Sequence, residues 1–306
     1  MKQTNDLFPL FNVLRSTIVT IGNFDGVHKG HQSILKRVIH SAKQHELESV
    51  VVIFDPHPSV ILRNETPSLL TTPAQRMAWM KTMKIDHGVV LPFTRELADK
   101  KAQDFVKTLK EALKMKILCI GATTHIGHNR EGTPEKLAIF ARDLGFELVV
   151  IPPVHVDGVI VSSSRIRKLL MEGEVQLAQK CLGRPYFTMG KVVKGESRGK
   201  SLGFPTANLG SLETLVPKRG VYATWASVDS KLYKAATNVG IRPTVTENSK
   251  EVVESHLLHF SGDLLGKELK LEWVARLREE MKFSDKVALC EQIQKDCKDV
   301  ELMLKK

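Results

Sequence analysis

The sequence has little of several features that mark common protein classes. Its 306 residues include only four cysteines, and none of them forms a CxxC pair. No apolar run approaches the roughly 20 residues of a membrane-spanning helix. The opening residues, MKQTNDLFPLFNVLR, lack the basic start, apolar core and cleavage site of a signal peptide. These absences argue against a membrane protein, a disulfide-stabilised secreted domain and a CxxC zinc module, so we expect a cytoplasmic protein with no membrane partner.

The cysteines themselves indicate packing rather than chemistry. Cys290 and Cys297 fall at helical spacing within an apolar stripe. The other members of this stripe are Val287, Ile293, Val300 and Leu304. The pattern predicts a terminal helix over residues 284–304 in which both cysteines are small core residues.

The net charge is strongly positive, with 45 Lys and Arg against 34 Asp and Glu, a formal +11 and a pI of about 9.4. A basic balance favours acidic partners. The lysines are scattered, however, and no block of like charge occurs. Solvated helix faces together with a phosphate site explain this pattern better than a nucleic-acid partner, and we expect none.

The first half of the chain alternates between strand-like and helical patterns. Apolar strand-like runs lie at 17–22, 49–54, 88–91, 116–120 and 147–151. Amphipathic helical patterns lie between them at 30–45, 73–84, 101–114 and 134–144. Such alternation predicts an α/β domain whose parallel sheet is covered on both faces, with ligands at the carboxyl ends of the strands.

The second half changes character after Leu182-Gly183-Arg184-Pro185. Strand-like runs follow at 186–194, 220–228, 232–239, 252–260 and 269–275, separated by turns rich in Gly, Pro and Asn. This predicts a small antiparallel β-barrel closed by the terminal helix. We therefore divide the chain into domains 1–184 and 185–306.

The stretch GNFDGVHKGH, residues 22–31, connects the first predicted strand to the first predicted helix. A glycine turn that leads into a helix N-terminus attracts phosphate through free N–H groups and the helix dipole. His28 and His31 can place imidazole donors beside such phosphates, and Gly30 permits close backbone approach. Asn23 and Asp25 either fix the turn or contact ribose and metal.

A second candidate anion site is the run Ser162–Arg167, SSSRIR. Hydroxyls at a helix start and an arginine one turn later can bind phosphate. For the serines taken alone, simple helix capping is the favoured explanation. The presence of both elements in one α/β chain favours a nucleotide site.

The second half carries a glycine-rich segment around GKSLGFPTAN, residues 199–208. The Thr206 hydroxyl and the Asn208 carbonyl are oxygen ligands two residues apart, so near a strand they can share one side and hold Mg²⁺ beside ATP. In the predicted strand 252–260, Glu254 shares a face with Val252, His256, Leu258 and Phe260. Glu254 is either a general base for phosphoryl transfer or the partner of a lysine, and spacing leaves both open.

These motifs resemble the bacterial bifunctional riboflavin kinase/FAD synthetase family. GNFDGVHKGH, the FDPHP segment at 54–58 and SSSRIR resemble its FMN adenylyltransferase half, a Rossmann-like nucleotidyltransferase. The resemblance implies that His28 and His31 stabilise the transition state. It places ATP on the residues Gly22, Asn23, Phe24, Asp25, Gly30, Ser163, Ser164 and Arg167.

The second half resembles riboflavin kinase through GxxLGFPTAN, GVYAT at 220–224, NVGIRPTV at 238–245 and ESHLLHF at 254–260. The resemblance implies that Thr206 and Asn208 bind Mg²⁺ and that Glu254 activates the terminal ribityl hydroxyl. It implies an ATP and flavin site formed by Gly199, Lys200, Ser201, Gly203, Phe204, Pro205, Thr206, Asn208 and Arg276. Arg276-Leu277-Arg278 with Phe283 resembles a flap over the flavin.

The family implies a transferase that converts riboflavin and ATP to FMN, and then FMN and ATP to FAD, with at most weak self-association. One element departs from its pattern. Where the family carries GxDFxFG, this chain has GATTHIG at 121–127, so the acidic position is Thr123 and both aromatics are absent. This motivates an alternative, a chain that is mainly a riboflavin kinase with a weakened adenylyltransferase. A third hypothesis, motivated by the net charge, is a nucleic-acid or flavin-sensing protein that has lost catalysis.

Overall fold

A computed structural model describes residues 1–6, 15–195, 199, 202–210, 212–242 and 250–305, with backbone alone at positions 242 and 250. The chain divides into two compact units, an N-terminal unit Met1–Ser163 and a C-terminal unit Ser164–Lys306. Among the described residues, no helix has the length and apolar character needed to cross a membrane.

The N-terminal unit is built on a six-stranded sheet within the described ranges, and every neighbouring pair is parallel. Its strands are β1 (Lys2–Thr4), β2 (Thr17–Ile21), β3 (Glu48–Asp55), β4 (His87–Pro92), β5 (Met115–Gly121) and β6 (Glu147–Ile151). Its helices are α1 (Lys29–Gln44), α2 (Pro58–Arg63), α3 (Pro73–Thr82), α4 (Arg95–Asp99), α5 (Ala102–Leu113) and α6 (Pro134–Leu144). A two-stranded ribbon, β7 (His155–Val156) and β8 (Val159–Ile160), follows β6.

Alternate residues of the strands enter two separate cores, one on each face of the sheet. Val19 of β2 packs with the core that contains α5 and α6 residues such as Val106 and Leu137. Ile18, the preceding residue, packs with the core that contains Leu35 of α1 and Met80 of α3. Inner strands such as β2 and β3 are therefore buried on both faces, which is why they read as continuous rather than alternating runs.

The strand order β1-β4-β3-β2-β5-β6 puts β2 at the point where the chain changes direction across the sheet. From β2 the chain proceeds to β3 and β4 on one side, and it then returns to add β5 on the other side. In open parallel sheets, the loops that follow the strands at such a point generally diverge, and ligands usually bind in the crevice between them.

The C-terminal unit is a closed antiparallel barrel of order β10-β13-β12-β11-β14-β9. Its strands are β9 (Tyr186–Val193), β10 (Ala207–Gly210), β11 (Gly220–Val228), β12 (Lys231–Arg242), β13 (Lys250–Leu257) and β14 (Glu268–Arg278). Helices α7 (Ser163–Glu172) and α8 (Val175–Leu182) precede the barrel, and α9 (Lys286–Met303) follows it. Val300 and Leu304 from the end of α9 pack on Ala223 and Ala275 of the barrel.

The predicted fold class is confirmed, and most predicted elements are close to the observed ones. Every predicted strand of the first half matches an observed strand to within one residue at each end. Elements that the sequence analysis did not predict are mostly short, such as β1 at the sheet edge and the four-residue barrel strand β10. The domain boundary at 184/185 stays a prediction, since α7 and α8 group with the C-terminal unit by their contacts.

Two expectations about shared faces are wrong. The predicted stripe on the terminal helix fails at Val287, which is 67 % exposed, because only the end of α9 near Val300 is covered by the barrel. The second expectation, that Glu254 shares one strand face with Leu258 and Phe260, fails because the strand ends before these two residues. Strand β13 ends at Leu257, and Leu257 and Leu258 are both buried, so the alternation stops there.

A buried ion pair joins α9 to the barrel. Arg278 at the end of β14 donates to Asp296 of α9 through Nε at 2.9 Å and Nη2 at 2.7 Å. The side chains are 18 % and 5 % exposed. Gln292 donates to the same carboxylate at 2.9 Å.

We expect Asp296→Ala to lower the free energy of unfolding by about 3–5 kcal/mol, because it leaves a desolvated guanidinium without its partner. Denaturant unfolding of the full chain measures this. The matched control is Lys168→Ala, which breaks the exposed pair with Glu172 at 3.9 Å and should change stability little. Equal effects of the two variants would contradict the importance of the buried pair.

Candidate functional site

The turn between β2 and α1 has an unusual backbone. Gly26 has a φ of 80°, and two residues with side chains, Phe24 and Val27, also lie in the left-handed region at 50° and 41°. A hydrogen bond from the Val27 N–H to the Phe24 carbonyl closes the turn at 2.9 Å. Such conformations cost energy and persist only where surrounding contacts determine them.

Asp25 supplies those contacts. Its carboxylate is 1 % exposed and accepts hydrogen bonds from the backbone N–H groups of Leu70 and Thr71 at 3.1 and 2.9 Å. The Thr71 hydroxyl donates to the same carboxylate and accepts from the Gly26 N–H at 2.8 Å. Of the two roles that the sequence left open, these bonds support fixing of the turn. Direct contact with a nucleotide stays a prediction.

His28 and His31 lie together at the start of α1. His28 is the N-cap residue, and its Nδ1 accepts the backbone N–H of His31 at 3.3 Å. The two rings stack with centroids 3.6 Å apart and an angle of 18°. Since Nδ1 of His28 is an acceptor, neutral His28 carries its hydrogen on Nε2.

Gly30 is required for this stacking geometry. A Cβ at position 30 would lie 3.1 Å from Cε1 and 3.2 Å from Nδ1 of the His28 ring. Both distances are too short for an easy fit, so a side chain here would displace the imidazole. The absence of a side chain at Gly30 therefore allows the His28 ring to lie close to the backbone.

His31 is held in an apolar and cationic environment. Phe24 contacts its ring at a centroid distance of 5.1 Å, and its Nδ1 is buried without a hydrogen-bond partner in the described part of the chain. Burial lowers the pKa of His31 well below its usual value, and nearby His28 and Arg76 lower it further. His31 is therefore neutral at neutral pH, and its imidazole can donate only one hydrogen at a time.

This turn is supported by three residues whose contacts could not be predicted from the sequence. Arg76 of α3 is 1 % exposed and donates to the Asn23 carbonyl through Nη1. His57 contacts the Asn23 side-chain amide at 3.0 Å and accepts from the Ser59 N–H. Thr71 is the third. The sequence flagged His57 within FDPHP without a role, whereas Arg76 lies in an ordinary amphipathic helix and carries no signal.

The serine-arginine run begins α7, as expected for a capping segment. The Ser163 hydroxyl, which belongs to the N-terminal unit, donates to the Asp25 carbonyl at 2.8 Å. Ser164 and Arg167 follow within α7, in the C-terminal unit. Their contact with a nucleotide stays a prediction.

The element that departs from the family pattern follows β5. Gly127 has a φ of 79°, and a Cβ there would lie 2.4 Å from Ala102 Cα, so this position tolerates only glycine. Ile126 is 6 % exposed and packs in the core beneath the sheet with Phe105 and Val106. His125 Nδ1 bonds to the Thr123 carbonyl at 2.9 Å.

In the barrel, three polar residues lie side by side on the outer face. The registers pair Asn208 of β10 with Glu254 of β13, and Glu254 with Asn238 of β12. Directly paired residues of antiparallel strands point to the same side of a sheet. The neighbours of Glu254 along the strand, Val253 and Ser255, are buried, so the row lies outside the barrel.

Glycines make room for the segment that precedes β10. The Gly199 carbonyl accepts the N–H of Phe204 at 2.8 Å, and a Cβ at Gly199 would lie 2.4 Å from the Phe204 carbonyl oxygen. A Cβ at Gly195 would lie 2.3 Å from the Asn208 side-chain nitrogen. Gly203 has a φ of 84°, as its turn requires. Lys200 and Ser201 lie outside the described residues.

Arg276 makes contacts within its own unit. Its Nη2 donates to the Arg219 carbonyl at 2.6 Å, and its side chain lies against Gly173 and Gly220, where a Cβ would come within 2.7 and 3.0 Å of it. These contacts anchor β14. The predicted contact of Arg276 with a flavin stays a prediction.

The donor set near Asn208 consists of few protein oxygens for a divalent cation. No group of three or more His, Cys, Asp or Glu that could hold a metal occurs among the described residues. Thr206 is exposed and Asn208 borders the space that Gly195 leaves, so the oxygens present are a hydroxyl and an amide. Such a set fits Mg²⁺, which keeps waters and shares substrate phosphates, better than a metal that needs a protein cage.

The chain matches two protein-family models in succession. The model described as FAD synthetase matches residues 11–165, and the model described as riboflavin kinase matches residues 182–304. The first match includes the departing element at 121–127, and the second includes Thr206, Asn208 and Glu254.

Named relatives cover nearly the whole chain. A bifunctional riboflavin kinase/FMN adenylyltransferase of Pseudomonas fluorescens is 36 % identical over 276 residues, 90 % of this chain and 89 % of that protein. One of Listeria monocytogenes is 33 % identical over 292 residues, 94 % of this chain and 93 % of that protein. A solved structure described as a macrolide-efflux protein from Streptococcus pneumoniae superposes with a TM-score of 0.88 at 29 % identity over 98 % of both chains.

The lowered pKa of His31 predicts a pH dependence of stability. Below pH about 6.5, the ordinary pKa of histidine, His31 binds a proton in the unfolded chain, whereas its lowered pKa keeps it unprotonated in the folded chain. The free energy of unfolding therefore falls as the pH falls. We expect His31→Asn to lose less unfolding free energy than wild type between pH 7.5 and 5.5. Denaturant unfolding at each pH measures this. Between pH 7.5 and 9 the unfolding free energies of the two proteins should change with pH in parallel. Equal changes of the unfolding free energy with pH below 7.5 would contradict the lowered pKa of His31.

Proposed function

Because the chain belongs to the family of bifunctional riboflavin kinase/FMN adenylyltransferases, we propose that His28 and His31 carry one of its two reactions and Glu254 the other. The enzyme phosphorylates riboflavin to FMN and adenylylates FMN to FAD, with ATP as the second substrate of both steps. The stacked histidine pair at the N-terminus of α1 carries the proposal for adenylyl transfer.

In adenylyl transfer, a phosphate oxygen of FMN attacks the α-phosphorus of ATP and pyrophosphate leaves. Negative charge then spreads over the oxygens of the α-phosphorus and of the leaving group. His28 donates from Nε2 to this charge, and His31 donates as a neutral imidazole. The dipole and free N–H groups of α1 add to the same field. Asn23, Ser163, Ser164 and Arg167 hold the remaining phosphates and the ribose, while Asp25 keeps the turn in place.

In riboflavin phosphorylation, the terminal ribityl hydroxyl attacks the γ-phosphorus of ATP and ADP leaves. Glu254 accepts the proton of that hydroxyl. The row Asn208–Glu254–Asn238 supports this role, since the strand register puts the carboxylate between two amides on the outer face of the barrel.

Mg²⁺ is proposed for the kinase site, with Thr206 and Asn208 as its protein ligands. When bound, the ion neutralises charge on the β- and γ-phosphates. Gly199, Gly203, Phe204 and Pro205 shape the adjoining loop, and Lys200 and Ser201 belong to the same segment by sequence.

The alternative of a kinase with a weakened first domain has no support in the comparisons, since the FAD synthetase model matches that domain. The efflux description belongs to the Streptococcus pneumoniae structure, and we do not extend it to this chain because both family models describe flavin enzymes. We further propose domains 1–184 and 185–306, a cytoplasmic location, no nucleic-acid partner and at most weak self-association.

We expect His31→Ala to reduce FAD formation from supplied FMN by about 10²–10³-fold, because one transition-state donor is lost. FMN formation from riboflavin should stay nearly unchanged. Chromatographic separation of FMN and FAD measures both activities in one protein. His40→Ala is the matched control, an exposed histidine on the same helix. If both activities fell together in a folded protein, the assignment of two separate sites would be wrong.

We expect Glu254→Gln to reduce riboflavin phosphorylation by about 10²–10⁴-fold, because the amide keeps the shape of the side chain but cannot accept the proton. FAD formation from supplied FMN should persist. Glu251→Gln, at an exposed position of the same strand, is the control and should retain activity. Full kinase turnover in Glu254→Gln would refute the assignment of the base.

A further inference from the structure

Strand β13 presents a second polar side chain beside Glu254. Val253, Ser255 and Leu257 are 1 %, 0 % and 5 % exposed and point into the barrel. Residues two apart on a strand share a face, so His256 lies on the outer face with Glu254. Nothing in the two reactions described above uses His256.

His256 holds the segment that leads into β10 by two contacts. Its Nδ1 lies 2.8 Å from the Pro205 carbonyl oxygen. A carbonyl oxygen only accepts, so Nδ1 must carry the hydrogen. The Phe204 ring meets the imidazole edge to face, with centroids 5.6 Å apart at 80°.

These contacts replace backbone pairing at the point where the strand stops. The register pairs Asn208 with Glu254 and Ala207 with Ser255, and Thr206 would come next, opposite His256. Strand β10 begins only at Ala207, however, and proline at 205 has no N–H to donate to a neighbouring strand. The exposed Thr206 is therefore fixed from one side by β10 and from the other by the His256 hydrogen bond.

We propose that His256 is a positioning residue for the kinase reaction. It fixes the Pro205 carbonyl and thereby sets Thr206 relative to Asn208 and Glu254, the groups assigned to Mg²⁺, ATP and the base. The inference rests on that proposed assignment. Oxygen ligands held by a loop must be set within a fraction of an ångström for productive binding, and a second hydrogen-bonded residue commonly does this.

The test compares His256→Ala, His256→Asn and His256→Gln in the full chain, with riboflavin, ATP and Mg²⁺. An asparagine amide can place an N–H near the position of Nδ1, whereas a glutamine amide reaches one carbon further. We expect the KM for ATP in riboflavin phosphorylation to rise about five- to tenfold in the Ala and Gln variants, as for the loss of one hydrogen bond. His256→Asn should stay within about twofold of wild type.

Two controls separate positioning from simple destabilisation. FAD formation from supplied FMN in the same preparations should be unchanged. His259→Ala removes another histidine near the end of β13, which bonds to Glu301 at 2.8 Å, and should leave the KM for ATP unchanged. A purely structural role would lower kcat through a smaller active fraction and leave the KM for ATP as in wild type.

An unchanged KM for ATP in folded His256→Ala, or equal impairment of the Asn and Gln variants, would overturn the proposal. If His256→Ala does not fold, the Asn and Gln pair decides. Thr206→Ala distinguishes failure of the underlying assignment. Full kinase activity in Thr206→Ala and Glu254→Gln would overturn both the site and the inference, whereas loss of activity there with normal His256 variants overturns the inference alone.

Discussion

The buried carboxylate of Asp25 is the constraint on which the first site depends. An ionised carboxylate removed from water is costly unless it is fully hydrogen-bonded. Here two backbone N–H groups and the Thr71 hydroxyl donate to it. The carboxylate in turn opposes the lowering of the Arg76 pKa by burial. Because these partners come from residues 70–76, the loop before α3 and the turn after β2 hold each other in place.

The histidine geometry follows from that turn. The left-handed backbone at Phe24 and Val27 places His28 at the N-cap of α1. Because Gly30 has no side chain, the His28 ring can lie against the helix. The turn thus fixes both imidazoles in the absence of a substrate. Fixed dipoles stabilise developing charge better than groups that must reorient, so a strained turn would serve the proposed adenylyl transfer.

In the barrel, strand register fixes the relative positions of the polar side chains. Asn208, Glu254 and Asn238 come from distant parts of the sequence, and antiparallel pairing sets them in one row. A register shift of one residue would turn each of them to the opposite face. The buried hydroxyls of Thr237 and Ser255 bond at 2.9 Å inside the barrel and help to exclude such a shift.

Sequence patterns were sufficient for the strands and helices whose burial spans whole elements. Continuous apolar runs located β2 to β6, and motifs located the turn residues and Glu254. Patterns failed where a contact depends on tertiary structure. The row that includes Asn238 requires the register, the Arg76 contact requires the packing of α3, and the bond of His256 to Pro205 joins residues 51 apart. Val287 was misassigned because helical spacing says which residues share a face, not how far the neighbouring barrel extends.

The departing element at 121–127 shows how structure changes the meaning of a sequence difference. Two aromatic positions of the family pattern are occupied here by Thr124 and Ile126. Ile126 is buried with Phe105 and Val106, so the residue at that position packs the core and its identity bears on stability rather than on flavin contact. Gly127 keeps the backbone that this loop needs against Ala102. Only Thr124 and the neighbouring Thr123 then remain as differences that a bound flavin nucleotide could contact. One of the two missing aromatic residues therefore no longer argues for a weakened adenylyltransferase.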